Sequence, residues 1–195
     1  MVWQIIAAAA ALIVLAALIA HIKYVSPAYR AGRAGEAEAT ELIRSVLRED
    51  DRLFTGVNVA IDGKRTELDN VIVNPRGVFI IEVKTYSGTL KGSESDRVWQ
   101  KTHISRGGKT YIKSARNPLP QVSRQIYILA NFLGSHGVNV FVEGYALLLG
   151  AKPPCRSERL LTNASSVAGA IHKRPVRKKL TEENLKKICR LLSKL

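Results

Sequence analysis

A chain of 195 residues has room for one domain and an appendage. Lys and Arg outnumber Asp and Glu by 30 to 16, a net charge of +14, which favours a polyanionic partner: nucleic acid or an anionic membrane surface. Cys155 and Cys189 are the only cysteines and form no CxxC pattern, so neither a zinc site nor a disulfide framework is indicated.

Residues Val2 to Ile22 contain no Asp, Glu, Lys or Arg. A run of about 20 apolar residues can span a bilayer core, and each Ile, Leu or Val contributes roughly −0.3 to −0.6 kcal/mol to insertion. A cleaved signal peptide is the competing reading, but it normally begins with a positive region, and Met1-Val2-Trp3-Gln4 has none. The positive charges follow instead, at Lys23, Arg30 and Arg33. The expectation is an uncleaved transmembrane anchor over residues 1–23 and a juxtamembrane linker over 24–32. The product is a single-pass membrane protein with its soluble domain in the cytoplasm.

Ala34 to Leu47 has near-helical spacing of Ala37, Leu42, Ile43, Val46 and Leu47. Glu36 falls in the first turn of that stretch, where residue chemistry alone reads it as a carboxylate complementing the helix dipole. Leu53 to Ile61 alternates as a strand, and Asp62-Gly63 signals a hairpin into a second strand ending at Asn74. Asn74-Pro75-Arg76-Gly77 fits a type I turn into Val78 to Val83, apolar enough to be buried on both faces.

A turn centred between Pro75 and Arg76 sets Val73 opposite Val78, Asp69 opposite Glu82 and Glu67 opposite Lys84. Asp69, Glu82 and Lys84 then share one face. Opposed carboxylates with Cβ atoms about 5 Å apart repel unless a cation lies between them, and charge in a buried strand is costly unless paired or metal-bound. The plain alternative is a cross-strand ion pair of Glu67 with Lys84 and a solvated Asp69.

Tyr86-Ser87-Gly88 turns into a short strand through Leu90. Val98 to Thr102 forms a further hairpin with Thr110 to Lys113 across Gly107-Gly108. Gly108-Lys109-Thr110 imitates the end of a phosphate-binding loop but lacks the strand-to-helix context. Lys101, Arg106, Lys109, Lys113 and Arg116 make this segment basic without an acidic residue, either a solvated face or a phosphate-contact surface. Pro118 opens a helix to about Leu133 with Val122, Ile126, Leu129 and Leu133 as its apolar stripe. Gln121 and Gln125 lie one turn apart on another face, as ordinary helix surface would.

Val138 to Val142 and Tyr145 to Leu149 read as two buried strands, and Asn163 to His172 as a short helix. Thr181-Glu182-Glu183 caps a final helix. The basic extension over 151–195 is thus partly helical, suited to gripping nucleic acid or inner-leaflet lipid. The alternation of strands and helices predicts an α/β sandwich with a central mixed sheet.

Leu68-Asp69 followed by Ile81-Glu82-Val83-Lys84 resembles the Asp…Glu-x-Lys core of the PD-(D/E)xK nuclease superfamily. Together with Gly35-Glu36, Thr66-Glu67-Leu68-Asp69-Asn70, Pro75-Arg76-Gly77 and Asn117-Pro118-x-x-Gln121, it is similar to the nuclease-related domain (NERD) over residues 33–150. The Pro that gives the superfamily its name is replaced by Leu68.

The resemblance implies a restriction-endonuclease-like core with a central mixed β-sheet flanked by helices. It further implies Mg²⁺ or Mn²⁺ on Asp69, Glu82 and the backbone carbonyl of Val83. Lys84 would position water or neutralise phosphate charge, Glu36 would support the site, and Gln121 would orient a phosphate or water. The functional expectation is a membrane-anchored, metal-dependent nuclease with DNA favoured over RNA. The rivals are a non-catalytic, membrane-tethered module for nucleic acid or anionic lipid, and a tethered scaffold. No other catalytic set competes, because the histidines are scattered and no Gly-x-Ser-x-Gly or paired-His motif occurs.

Overall fold

The computed structural model describes residues 2–25, 27–105, 107–175 and 178–195. Helix α1 runs Val2–Val25 and α2 Pro27–Arg44. Three strands follow: β1 (Arg52–Ile61), β2 (Lys64–Asn74) and β3 (Gly77–Thr85). A short β4 (Thr89–Lys91) precedes the β5 (Val98–Ile104) and β6 (Thr110–Arg116) hairpin. Helix α3 (Leu119–Ser135) leads to β7 (Val142–Leu149) and β8 (Leu160–Leu161). The chain closes with α4 (Ala164–Ala168), a π-helical turn (Gly169–Lys173) and α5 (Glu182–Leu192).

The main sheet has the order β1-β2-β3-β7-β8. β1, β2 and β3 are antiparallel neighbours, whereas β3-β7 and β7-β8 are parallel, so the sheet is mixed. Asp62 and Gly63 both take positive φ, 49° and 71°, as a two-residue turn between twisted strands demands. At the other end Asn74 Oδ1 accepts from the Arg76 N–H at 2.9 Å, fixing the turn that places Val73 against Val78. β3 is central and buried from Gly77 to Val83, and parallel pairing to β7 explains its continuous apolar run.

Helices cover both faces. α3 and α5 bury Ile128, Leu129, Leu133, Ile188 and Leu192 against Val57, Val71, Val73, Val78 and Ile80. On the opposite face Ala39 and Ile43 of α2, with Val167 and Ile171, cover Ile72, Phe79, Ile81 and Leu147. A separate three-stranded sheet, β4-β5-β6, packs through Leu90, Trp99 and Ala115 against Leu119 and Val122.

Several expectations change. Residues 27–32, read as linker, are the first turns of α2, consistent with Pro27 opening a helix. Val138 to Val142 is not a strand of its own: only Val142 belongs to one, at the start of β7. Residues 151–195 are not an appendage, because β8 joins the main sheet and Ile171, Ile188 and Leu192 lie in the core. Among the described residues no helix is long and apolar enough to cross a membrane, so the transmembrane helix expected over 1–23 is not supported here. α1 nonetheless exposes Leu12, Ile13, Val14, Leu15 and Leu18.

Candidate functional site

The site forms where β2 loses its regular alternation. Val71 and Val73 face α3, while Ile72 faces α2 and Asn70 accepts from Thr40 Oγ1 of that helix at 3.2 Å. Strict alternation would send Leu68 to the α2 side, yet it packs in the α3 cluster with Val71. β1 behaves alike: Phe54 and Val57, three residues apart, both contact that cluster around Gly56, whose φ is 63°. The paired strands change phase together at Gly56 and Asp69.

The β2-β3 ladder ends there, at Asn70 opposite Ile81. Beyond it the Asp69 carboxylate takes over, with Oδ2 accepting from the Val83 N–H at 2.7 Å. The expected ladder pairs of Asp69 with Glu82 and Glu67 with Lys84 are therefore absent from the β2-β3 register. Lys84 Nζ instead contacts Glu82 Oε1 on its own strand.

Glu82 is almost fully buried and is held by donors on every side. Lys84 Nζ and Gln121 Nε2, the latter at 2.6 Å, meet Oε1. Gln125 Nε2 meets Oε2 at 2.6 Å and also donates to the Glu67 backbone carbonyl at 3.1 Å. Gln121 and Gln125 sit one turn apart on α3, and the helix aims both at the carboxylate. Gln125 was legible only as helix surface; it is completely buried. Gln125 stands three and seven residues before Ile128 and Phe132, which are buried on the same helix, and that spacing was the available signal.

Asp69 carries the electrostatic strain of the site. Burial raises its carboxyl from 3.8 to about 7, and the charges of Glu82 and Glu36 push the same way. The Val83 N–H and the Lys84 ammonium pull it down but do not prevail. Glu36, exposed on α2, reaches this neighbourhood from the opposite side of the sheet edge. It shares a cleft of about 510 Å³ with Val83, Lys84, Tyr86 and Lys101. Gly35 lets α2 come this close: a Cβ there would sit 2.0 Å from Thr85 Oγ1.

The donor chemistry fits a hard divalent cation. Mg²⁺ uses one or two carboxylates and keeps several waters, which matches two interacting carboxylates. Among the described residues no group of three or more His, Cys, Asp or Glu could hold a metal, so a dedicated protein cage is not built here. Gln125 Oε1 is buried without a hydrogen-bond partner, an open acceptor beside Glu82 for a donor such as water.

The basic residues divide between two places. Lys101 reaches the cleft with Lys84, and Lys113 pairs with it across the β5-β6 hairpin. Lys109 lies with Nζ 5.7 Å from the Tyr111 ring centre. Arg116 lines a different groove, with Gln121. Arg106 lies outside the described residues.

Residues 31–149 match the family described as the nuclease-related domain. An uncharacterized protein of Bacillus anthracis is 29% identical over 69 residues, which is 35% of this chain and 32% of that protein. The aligned part thus spans about a third of that curated relative. No solved structure matches the chain.

Proposed function

This chain belongs to the nuclease-related domain family, and we propose that it is a metal-dependent nuclease hydrolysing phosphodiester bonds, with DNA favoured over RNA. The observation that carries the reading is the strained pair of Asp69 and Glu82 with Lys84 against it. A fold that needed only a binding face has no reason to bury two interacting acids beside a cationic cleft. The restriction-endonuclease-like reading of the fold belongs to the same proposal, supported by the mixed sheet with helices on both faces.

In this reading Asp69 and Glu82 hold Mg²⁺ or Mn²⁺, with the Val83 carbonyl as a further ligand. The bound ion supplies charge stabilisation at the phosphate and a lowered pKa for water. Gln121 and Gln125 fix the Glu82 carboxylate. Lys84 leaves Glu82 Oε1 to neutralise charge developing on the phosphate. Glu36 adds negative charge from α2 and supports the cation. Lys101 and Lys113, like charges directly opposed across a hairpin, repel each other and are relieved by a phosphate backbone between them.

Membrane attachment through α1, with the domain on the cytoplasmic side, is the second part of the proposal. It is supported by the charge-free run from Val2 to Ile22 and by the apolar side chains that α1 exposes. Resistance of the chain to alkaline extraction from membranes tests it, and release into the soluble fraction refutes it. A non-catalytic tethered binder remains the alternative for the basic face.

The deciding assay incubates the purified chain with labelled DNA and RNA in Mg²⁺, Mn²⁺ or EDTA, beside Asp69→Ala and Lys84→Ala. Cleavage that needs the metal and disappears in both variants supports the nuclease. Salt-sensitive binding without cleavage, indifferent to both substitutions, favours the binder.

A further inference from the structure

On the Gln121 side of Glu82 lies a second cavity of about 740 Å³, distinct from the cleft of Glu36 and Lys84. Arg97, Arg116 and Arg124 line it together with Thr66, Asn117 and Gln121. All three arginines are exposed, and among the described residues none has a carboxylate within ion-pair distance. Arg124 is oriented by one neutral contact, Nη2 donating to the Arg65 carbonyl at 3.0 Å.

The arginines come from three places: the start of the β4-β5-β6 sheet's long hairpin, its last residue, and the first turns of α3. The amino-terminal end of α3 opens into the same cavity, and no acidic residue in its first turn offsets the positive end of the helix dipole. Asn117 is not free to serve as a counter-group, since its amide is spent on the Glu94 and Asp96 carbonyls and the Leu119 N–H. Three guanidinium groups without a carboxylate partner among the described residues converge beside a helix amino terminus whose Leu119 N–H is already capped. Guanidinium matches phosphate bidentately, which ammonium cannot.

We propose that this groove is a second phosphate site, which holds a non-reacting phosphate of the substrate strand while the scissile one lies at Glu82 and Lys84. The identity of that strand rests on the nuclease reading; the groove's affinity for phosphate does not. Gln121 borders both places, lining the groove and donating to Glu82 Oε1. A phosphate settling among the arginines thus sits against the residue that orients the reactive carboxylate. The phosphate is either an internal diester or a terminal monoester, two sources of one chemistry.

The test uses the full chain in EDTA, so that binding is measured without cleavage. Fluorescence anisotropy follows labelled oligonucleotides with and without a terminal phosphate, against wild type and Arg97→Gln/Arg124→Gln. The expected result is affinity weakened at least tenfold and a shallower salt dependence. Each lost contact removes about 0.7 from the log–log slope for single strands and about 0.9 for duplex. An equal loss on both oligonucleotides identifies an internal diester, and a loss confined to the phosphorylated one identifies a terminal monoester.

Unchanged affinity and slope in the double variant overturn the proposal, as does a wild-type chain that shows no salt-dependent binding. The two readings separate cleanly. Cleavage by wild type with a silent double variant removes the groove and keeps the nuclease. A double variant that loses binding in a chain that cleaves nothing keeps the groove and removes the nuclease.

Discussion

Gln125 donates through one amide nitrogen to Glu82 Oε2 at 2.6 Å and to the Glu67 backbone carbonyl at 3.1 Å. One side chain of α3 therefore ties β2 to β3 at the point where their ladder has ended at Asn70 and Ile81. Gln125→Leu keeps the volume but strips a buried carboxylate and a carbonyl of their donor. A cost of about 1–3 kcal/mol is expected for such unsatisfied groups, read as a lower urea midpoint. Gln121→Leu, at a half-buried position, is expected to cost less stability while still lowering turnover, because Glu82 keeps Gln125 but loses one donor at Oε1.

Asp69 makes stability depend on pH in a direction opposite to that of a salt-bridged carboxylate. Its carboxyl sits at about 7 when folded, against 3.8 as the reference. The folded state thus keeps a proton that the unfolded chain releases. That contribution is fully present below about pH 4 and is lost as pH rises through about 7. Each unit corresponds to about 1.4 kcal/mol. Asp69→Asn, whose amide oxygen can still accept from the Val83 N–H, is expected to raise metal-free stability by on the order of 2–4 kcal/mol at pH 8. The gain should vanish near pH 4 in a series of thermal melts.

The same proton competes with a cation. Below about pH 7 the proposed ion would have to displace the proton that Asp69 holds, so affinity for Mg²⁺ or Mn²⁺ is expected to rise with pH and level off above about 7. Titration calorimetry at several pH values reads both the affinity and the proton release. Wild type should be stabilised by the ion and Asp69→Asn should not.

Gly35 tests whether α2 must approach β3 closely. In a helix interior Gly→Ala ordinarily stabilises by roughly 0.5–1 kcal/mol. Here the new Cβ would meet Thr85 Oγ1 at 2.0 Å and Thr85 Cβ at 3.2 Å. The expected sign is reversed, a loss of about 1–3 kcal/mol, with reduced activity as Glu36 is pushed from the cleft. Gly35→Ala/Thr85→Ala removes the closer contact and should recover part of both losses, which a double-mutant cycle measures.

The hairpin register was legible because Asn74-Pro75-Arg76-Gly77 fixes its own turn and both strands alternate up to Asn70. The site itself was legible as a set of residues and misread as a geometry. Asp69 falls at a change of strand phase shared with Gly56, and period-two reasoning carries no warning of that. Asp69 consequently bonds the Val83 backbone rather than facing Glu82 across a ladder. Gln125 was hidden because polarity reads as exposure, whereas this amide is buried to serve a buried acid. Val138 to Val142 misled for the converse reason: β-branched residues were buried in a connection as well as in a strand.

The carboxy-terminal segment was the hardest to place, since its basic composition reads as a tail while its sparse apolar residues fill the core. Asp51 anchors it. His172 Nε2 lies 2.8 Å from Asp51 Oδ2, and Oδ1 accepts from Asn74 Nδ2 at 2.8 Å. The Arg48 N–H donates to the same carboxylate at 2.7 Å, and the Leu180 N–H donates to the Pro75 carbonyl at 2.9 Å. The turn that sets the β2-β3 hairpin's register is thus held from below by residues beyond the matched region. A fragment ending at Gly150 would expose Ile72, Phe79 and Ile81 where Val167 and Ile171 now cover them, and would leave Asp51 buried without His172. It is expected not to fold, giving no cooperative melt and broad, collapsed amide resonances. Asp51→Ala in the full chain should lose about 2–4 kcal/mol, since three donors lose their acceptor at once. A cooperative fragment, or an Asp51→Ala chain as stable as wild type, would mean that the core is complete at β7.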